Sequence, residues 1–329
     1  MSRSSPHFTV ETYNSAHQNL WNQFVARAKN ATFLFHRDFM EYHSHRFKDA
    51  SLLVFKDKKL IAILPANRED TTVYSHQGLT YGGLVLSNKT KMEDATAAFK
   101  VLLQFLEQEG ATTLQLKLLP RIYNSLPADE INYLLFLAEA KQFRMDVSAT
   151  IKTDSALKIQ KNRMEGVKKA EKHGLWIEAE QKFNPFWNQI LIPNLEKRHD
   201  AKPVHSLKEI EQLAAAFPEK IVQFNVMKET EIVAGATMFI TPQVAHVQYI
   251  SANEEKQQLG SLDFLFHHLI TSTYREKEYF NFGISNVNHG KNINKGLQYW
   301  KECFGARSIV HEFYEVDTAN HTKLDSVFV

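Results

Sequence analysis

The sequence predicts a mixed α/β (α+β) fold arranged as two consecutive domains. Three observations carry this: the length, an alternation of strand and helix signals, and an order of strand, charged hairpin, strand, helix and strand that occurs twice. At 329 residues the chain exceeds one ordinary core and suits two. Its 43% hydrophobic and 23% charged residues are an ordinary globular composition.

The elements follow in order. Phe8-Thr9-Val10 reads as a first strand. Ser15 is placed to cap a helix reaching about Lys29, with Leu20, Phe24 and Ala28 on one stripe, and a second helix is expected from Phe35 to Phe47. Ser51 to Phe55 and Leu60 to Leu64 are apolar strands joined by the charged turn Lys56-Asp57-Lys58-Lys59, and Tyr81 to Leu86 is a further strand. From Asp94 to Glu109 the apolar residues Phe99, Leu102, Leu103 and Leu106 keep helical period. Gly110 stops that helix, and a strand from Thr113 to Leu116 follows.

The second half repeats this order. Ile221 to Met227 and Ile232 to Ala236 flank the turn Lys228-Glu229-Thr230-Glu231, which aligns without a gap on the first hairpin. A strand from Val244 to Ala252 comes next, then a helix bearing Leu262, Leu265, Phe266, Leu269 and Ile270, then a strand from Tyr279 to Phe282. Between the halves, Leu157 to Gly174 carries six Lys or Arg residues, with Lys161, Lys168 and Lys172 nearly on one face. It reads as a connecting helix, either a solvated spacer or a basic surface beside a ligand cleft. The expected division is 1–153, a connector over 154–174, and 175–329.

With 39 Lys plus Arg against 37 Asp plus Glu, no global field draws the surface to DNA or to a membrane, so at most a local, peripheral membrane contact is expected. The single cysteine, Cys303, forms no intrachain disulfide framework and suits a reducing compartment. The first residues lack an apolar signal core, and no run of eighteen apolar residues occurs. A cytoplasmic location is expected.

Asn294-Lys295-Gly296-Leu297-Gln298-Tyr299-Trp300-Lys301-Glu302-Cys303-Phe304-Gly305-Ala306 resembles a late motif of the Fem family, in which an aromatic–lysine pair precedes a Phe-Gly turn. That family comprises the aminoacyltransferases that build peptidoglycan interpeptide bridges. Lys168-Lys169-Ala170-Glu171-Lys172-His173-Gly174-Leu175 is similar to the segment opening the family's second domain. The resemblance implies two tandem domains of the GNAT (N-acetyltransferase) type, each a mixed, splayed sheet flanked by helices. The first would be a degenerate substrate platform and the second the catalytic one. It also implies an acyl donor that is an aminoacyl-tRNA, an acyl-coenzyme A or an acyl carrier protein, with no tightly bound cofactor. The coiled-coil arm of some members is not evident.

Acyl transfer needs a base for the acceptor and positive charge for the developing oxyanion. The resemblance places Lys301 near the donor's acyl end. The alternative is a surface lysine on a helix whose apolar face is Leu297, Trp300 and Phe304. His246 and Gln248 alternate on one face of their strand. His246 is a candidate general base, or else a structural histidine. Ser285 and Asn288 follow the last strand, where α/β sheets commonly bind ligands, and with Tyr299 they are candidate acceptor contacts.

A coenzyme A loop needs close backbone approach at a helix start. Gln257-Gln258-Leu259-Gly260-Ser261-Leu262 supplies Gln258, Gly260 and Ser261, but Leu262 fills the last small position. In the first half, His76 and Tyr81 lie in the glycine-rich stretch Tyr74 to Gly83, either a substrate loop or a tight connection. Arg46 could hold a phosphate, whereas His43 and His45, two apart, do not make a metal site. Arg198, near His199 and His205, is a further anion contact.

Three functions remain open at this level. The first is aminoacyl or acyl transfer to an amine or hydroxyl of a cell-envelope or polysaccharide precursor, such as a lipid- or nucleotide-linked sugar. The second is N-acylation of a small-molecule amine from acyl-coenzyme A. The third is a non-catalytic binding protein.

Overall fold

The computed structural model describes residues 6–329, the side chains of Arg198 and His199 excepted. The chain forms two compact units, residues 6–146 with Val310–Val329, and Val147–Ile309. These bounds differ from the division at 153 and 174 in two ways. The closing strand, Arg307–Asp317, carries Phe313–Asp317 back to the first unit, antiparallel to Thr113–Lys117. The basic helix, Lys161–Lys172, belongs to the second unit, where it buries Gly166, Val167 and Ala170. No local motif marks that return.

In the first unit, β1 (Phe8–Thr12), β2 (Leu52–Lys56), β3 (Lys59–Leu64) and the short β6 (Val85–Leu86) make one antiparallel sheet. A second group holds β4 (Asn67–Glu69), β5 (Thr72–Tyr74) and β7 (Thr113–Lys117), with β5 parallel to β7. The helix Met92–Gln108 lies between β6 and β7 in the chain and buries Phe99, Leu102, Leu103 and Leu106, the predicted stripe. Gly110 stops it at φ +75°.

The N-terminal helices are shorter than their period suggests. Asn14, not Ser15, caps the first turn, and the helix proper is Gln18–Val25, burying Trp21 and Val25 while Leu20 stays exposed. Over 35–47 only the turns Arg37–Met40 and Glu41–His43 form. Tertiary burial of Leu34, Phe35, Phe39 and Met40 overrides local propensity there. The strand expected from Tyr81 reduces to β6, because Gly83 sits at φ +95°.

In the second unit the strands are β8 (Lys141–Lys152, through its second half), β9 (Trp176–Glu180), β10 (Ile221–Lys228), β11 (Glu231–Ile240), β12 (Val244–Ala252) and β13 (Tyr279–Ile284). Their order is β8-β13-β12-β11-β10-β9, and only β12–β13 is parallel. The helix Ser261–His268 connects that parallel pair, as Met92–Gln108 connects β5 to β7. Each unit therefore contains one parallel pair spanned by a helix, the structural form of the repeated order. One face of the second sheet is apolar and carries Met238, Val247, Phe280 and Phe282 against Leu265 and Phe266.

Candidate active site

The parallel pair in the second unit ends early. β12 and β13 are paired at Val244–Tyr279, Ala245–Phe280 and His246–Asn281, while β12 runs on to Ala252 against β11 alone. Strands that part in this way leave main-chain groups of β12 unpaired on one side, available to a ligand. A bulge at the parting point sharpens it: Met238 faces Val247 but Thr237 faces Tyr249, so Gln248 has no opposite partner. Opposite Phe239 and Thr237, His246 and Tyr249 share a face, and the bulged Gln248 keeps to that side, its side chain reaching both of theirs. Gln248 sits beside both side chains, and its Oε1 is buried with no hydrogen-bond partner.

The last rung of the pair is also a polar network. Asn281 Nδ2 donates to Ser148 Oγ at 2.8 Å and Thr150 Oγ1 at 2.7 Å, and its Oδ1 accepts from Gly283 N at 2.9 Å. A main-chain N–H can only donate, so the Asn281 amide orientation is fixed. His246 Nδ1, 2.7 Å from that same Oδ1, must then be the protonated nitrogen. The imidazole is left with an unprotonated Nε2. Burial, with the nearby Lys301 charge, pushes its pKa down to about 4, so it is neutral at physiological pH.

Lys301 is buried, at 3% exposure, and Nζ donates to the carbonyls of Gly283 at 2.9 Å and Ile284 at 2.8 Å, where β13 ends. The surface-lysine alternative is thus overturned. The surrounding motif explains the placement. Asn294 Oδ1 caps the helix Lys295–Glu302 through Leu297 N, and Trp300 and Phe304 pack edge-on or tilted against Phe266 and Phe282. Gly305, at φ +96°, lies where a Cβ would stand 2.6 Å from Leu157 O. With no carboxylate to offset its burial, the Lys301 ammonium is pushed down to about 7.

A pocket of about 660 Å³ adjoins the far half of β12. Ile250, Ser251 and Ala252 line it with Lys169 and Arg163 of the basic helix, Gln257, Leu262, Asn294 and Trp300. Here the expected coenzyme A loop packs on the basic helix. Gly260 has φ +67° and buries its open side against the basic helix, since a Cβ there would meet Gly166 O at 2.0 Å. The absent side chain serves helix packing. Asp263 stands in the first turn after it, held by Arg163 Nη1 at 2.8 Å and Trp300 Nε1 at 3.1 Å. Burial raises the Asp263 carboxyl above its ordinary value. Gln258 is exposed and Ser261 buried, and it is Gln257 that lines the pocket.

The other expected residues are dispersed. Ser285 is buried beside the Lys301 carbonyls, its Oγ without a partner. Asn288 is exposed at the tip of the hairpin 286–293, at φ +53°, and bonds Asn292 instead of facing the pocket. Tyr299 is 56% exposed. The Arg198 side chain lies outside the described residues.

Arg46, His76 and Tyr81 belong to the first unit. Arg46 is exposed over the Tyr42 ring, and His76 stacks on His43 with burial pushing its pKa down to about 3. Tyr81 is buried on Thr32. The glycine-rich stretch is a tight connection: beyond β5 and β7, Lys117 N donates to Ser75 Oγ and Gly82 N to Lys117 O, so this chain fills the space where those strands diverge. Gly82 fits because a Cβ would collide with Ser75 O at 1.6 Å.

Asn281, Ser148 and Thr150 escaped the sequence reading. Their signal was present, an asparagine between Phe280 and Phe282 in an otherwise apolar strand. Among the described residues no group of three or more His, Cys, Asp or Glu stands where it could hold a metal ion, and no helix is long and apolar enough to cross a membrane.

No family profile and no curated protein matches the chain. Solved structures do. The chain resembles FemX at 11% identity, covering 96% of this chain and 99% of that one with a TM-score of 0.65. L-PGS from Bacillus licheniformis matches at 14% identity over 80% and 85% with a TM-score of 0.55. A tandem GNAT protein from the clavulanic acid biosynthesis pathway matches at 10% over 95% and 99%, with a TM-score of 0.50. These likenesses establish the fold, tandem GNAT-type domains of the Fem-like arrangement.

Proposed function

We propose that the second unit is an acyltransferase that moves an aminoacyl or acyl group onto an amine or hydroxyl of a cell-envelope precursor. The observation that carries this is the coincidence, at the end of one parallel rung, of the strand opening, a neutral His246 and a buried Lys301. The likeness to FemX supports the envelope assignment.

In this reading the acyl group lies along β12 beyond His246. The acceptor lone pair forms the new bond to the acyl carbon, and the acceptor proton passes to His246 Nε2. The protonated Lys301 stabilises the oxyanion through the N–H its two carbonyls leave over. Collapse breaks the bond to the donor oxygen or sulfur, which takes the proton from His246. A histidine near 4 holds a proton poorly, so it serves as a relay.

An aminoacyl-tRNA donor is favoured over acyl-coenzyme A. Gly166 covers the backbone that a diphosphate would approach, and the Asp263 carboxylate adds negative charge to that helix start. The first unit, its strand opening filled by its own chain, acts as the substrate platform. The deciding experiment offers the purified protein charged tRNA and acyl-coenzyme A in parallel, each with labelled nucleotide- and lipid-linked envelope precursors. Label transferred from charged tRNA supports the proposal. Transfer from the thioester alone replaces the donor assignment, and no transfer from either leaves a binding protein.

A further inference from the structure

The segment following β13 has an unusual surface. Residues 291–297 are consecutively exposed, and the hairpin 286–293 pairs Asn286 with Ile293 and Val287 with Asn292. Val287 is 48% and Ile293 47% exposed, on opposite faces of the ribbon, and Ile284 and Leu297 are exposed at its base. A two-stranded ribbon this short with aliphatic side chains on both faces has no core of its own to bury them in. The charge is equally one-sided. From Ile284 to Lys301 there is no Asp or Glu, while Lys291 and Lys295 are both exposed.

We infer that this hairpin is a docking element for an anionic lipid surface, its aliphatic side chains entering the interface while Lys291 and Lys295 meet lipid phosphates. Each property has its counterpart there: aliphatic area gains from leaving water, and each lysine near an anionic surface adds attraction. Nucleic acid fits less well, because phosphate contacts would use the lysines but give the aliphatic Val287 and Ile293 nothing. The hairpin starts at the carbonyls that hold Lys301. Docking would bring that end of β13 to the lipid surface, where a lipid-linked acceptor presents its head group. This surface inference stands whether or not the acyl-transfer reading does.

The test is sedimentation of the full chain with phosphatidylcholine vesicles, with or without a quarter of phosphatidylglycerol. Binding is expected to the anionic vesicles only and to weaken with salt. Lys291→Glu with Lys295→Glu should reduce it by tenfold or more, on the order expected for removing two surface cations. Val287→Asp with Ile293→Asp should reduce it comparably while leaving the melting temperature unchanged, since all four side chains are exposed. Absence of binding overturns the inference, as does binding that both double variants retain. Preference for a polyribonucleotide over vesicles, lost in the lysine variant alone, would assign the surface to RNA instead. Vesicle binding without acyl transfer would leave the docking element standing and remove only the catalytic proposal.

Discussion

His246 Nδ1 meets Asn281 Oδ1 at 2.7 Å across the last paired rung before β12 and β13 part. This contact fixes the tautomer, and the tautomer fixes which nitrogen can take a proton. Asn281→Asp tests it. A carboxylate in place of the amide would favour the imidazolium and move the His246 pKa up from about 4, so the acid limb of the activity profile should shift upward. Titrating the histidine by NMR in both proteins would check this. An unmoved pKa would show that the contact does not govern the ring.

The same histidine gives a sign for stability. Its folded-state pKa, about 4, lies below the ordinary value of 6.5, so the folded protein resists protonation that the unfolded chain accepts. Stability is therefore full above about 6.5 and lost as pH falls toward 4. His246→Gln should flatten part of that loss in urea melts at pH 4 to 7.

Gly260 and Gly174 form a matched pair. Both have φ +67°, but a Cβ on Gly174 meets nothing within 4 Å, whereas one on Gly260 meets Gly166 O at 2.0 Å. Gly174→Ala should cost only the left-handed backbone penalty, about 1 kcal/mol. Gly260→Ala should add roughly 1–3 kcal/mol for overpacking. Equal losses in urea titrations would mean that the basic helix does not seat on Gly260.

How much of this was legible in the sequence depended on how local each cause is. The helix Met92–Gln108 and the strands β10 to β13 announced themselves because burial on one face imposes a period, whereas β8 and β9 did not. Lys301 was findable because its whole setting, from the Asn294 cap to the Gly305 turn, is contiguous. Gly260 was legible as a glycine but not in its purpose, since Gly166 meets it from a helix 94 positions earlier in the chain. That His246 and Gln248 lie on one side follows from the strand period, whereas the place of Tyr249 on that same side depends on a bulge set by β11. The return of the closing strand to the first unit is likewise a pairing over long sequence distance.

Lys301 gives the sharpest prediction, because it separates stability from activity. Its folded-state pKa of about 7 lies well below the ordinary 10.5, so the folded protein disfavours its charge. Wild-type stability should therefore rise between pH 7 and about 10 as the unfolded chain alone stays protonated, while Lys301→Met should lack that rise. Near pH 7 the variant should be at least as stable, on the order of 1–4 kcal/mol more so, because an apolar chain replaces a buried cation. Its transfer rate should nevertheless fall roughly 100- to 1,000-fold, the scale for losing one oxyanion donor. The wild-type pH profile gives the role: activity that falls as pH rises through about 7 requires the ammonium, whereas activity that rises through it would make Lys301 the base. A variant that keeps its activity would remove Lys301 from the chemistry.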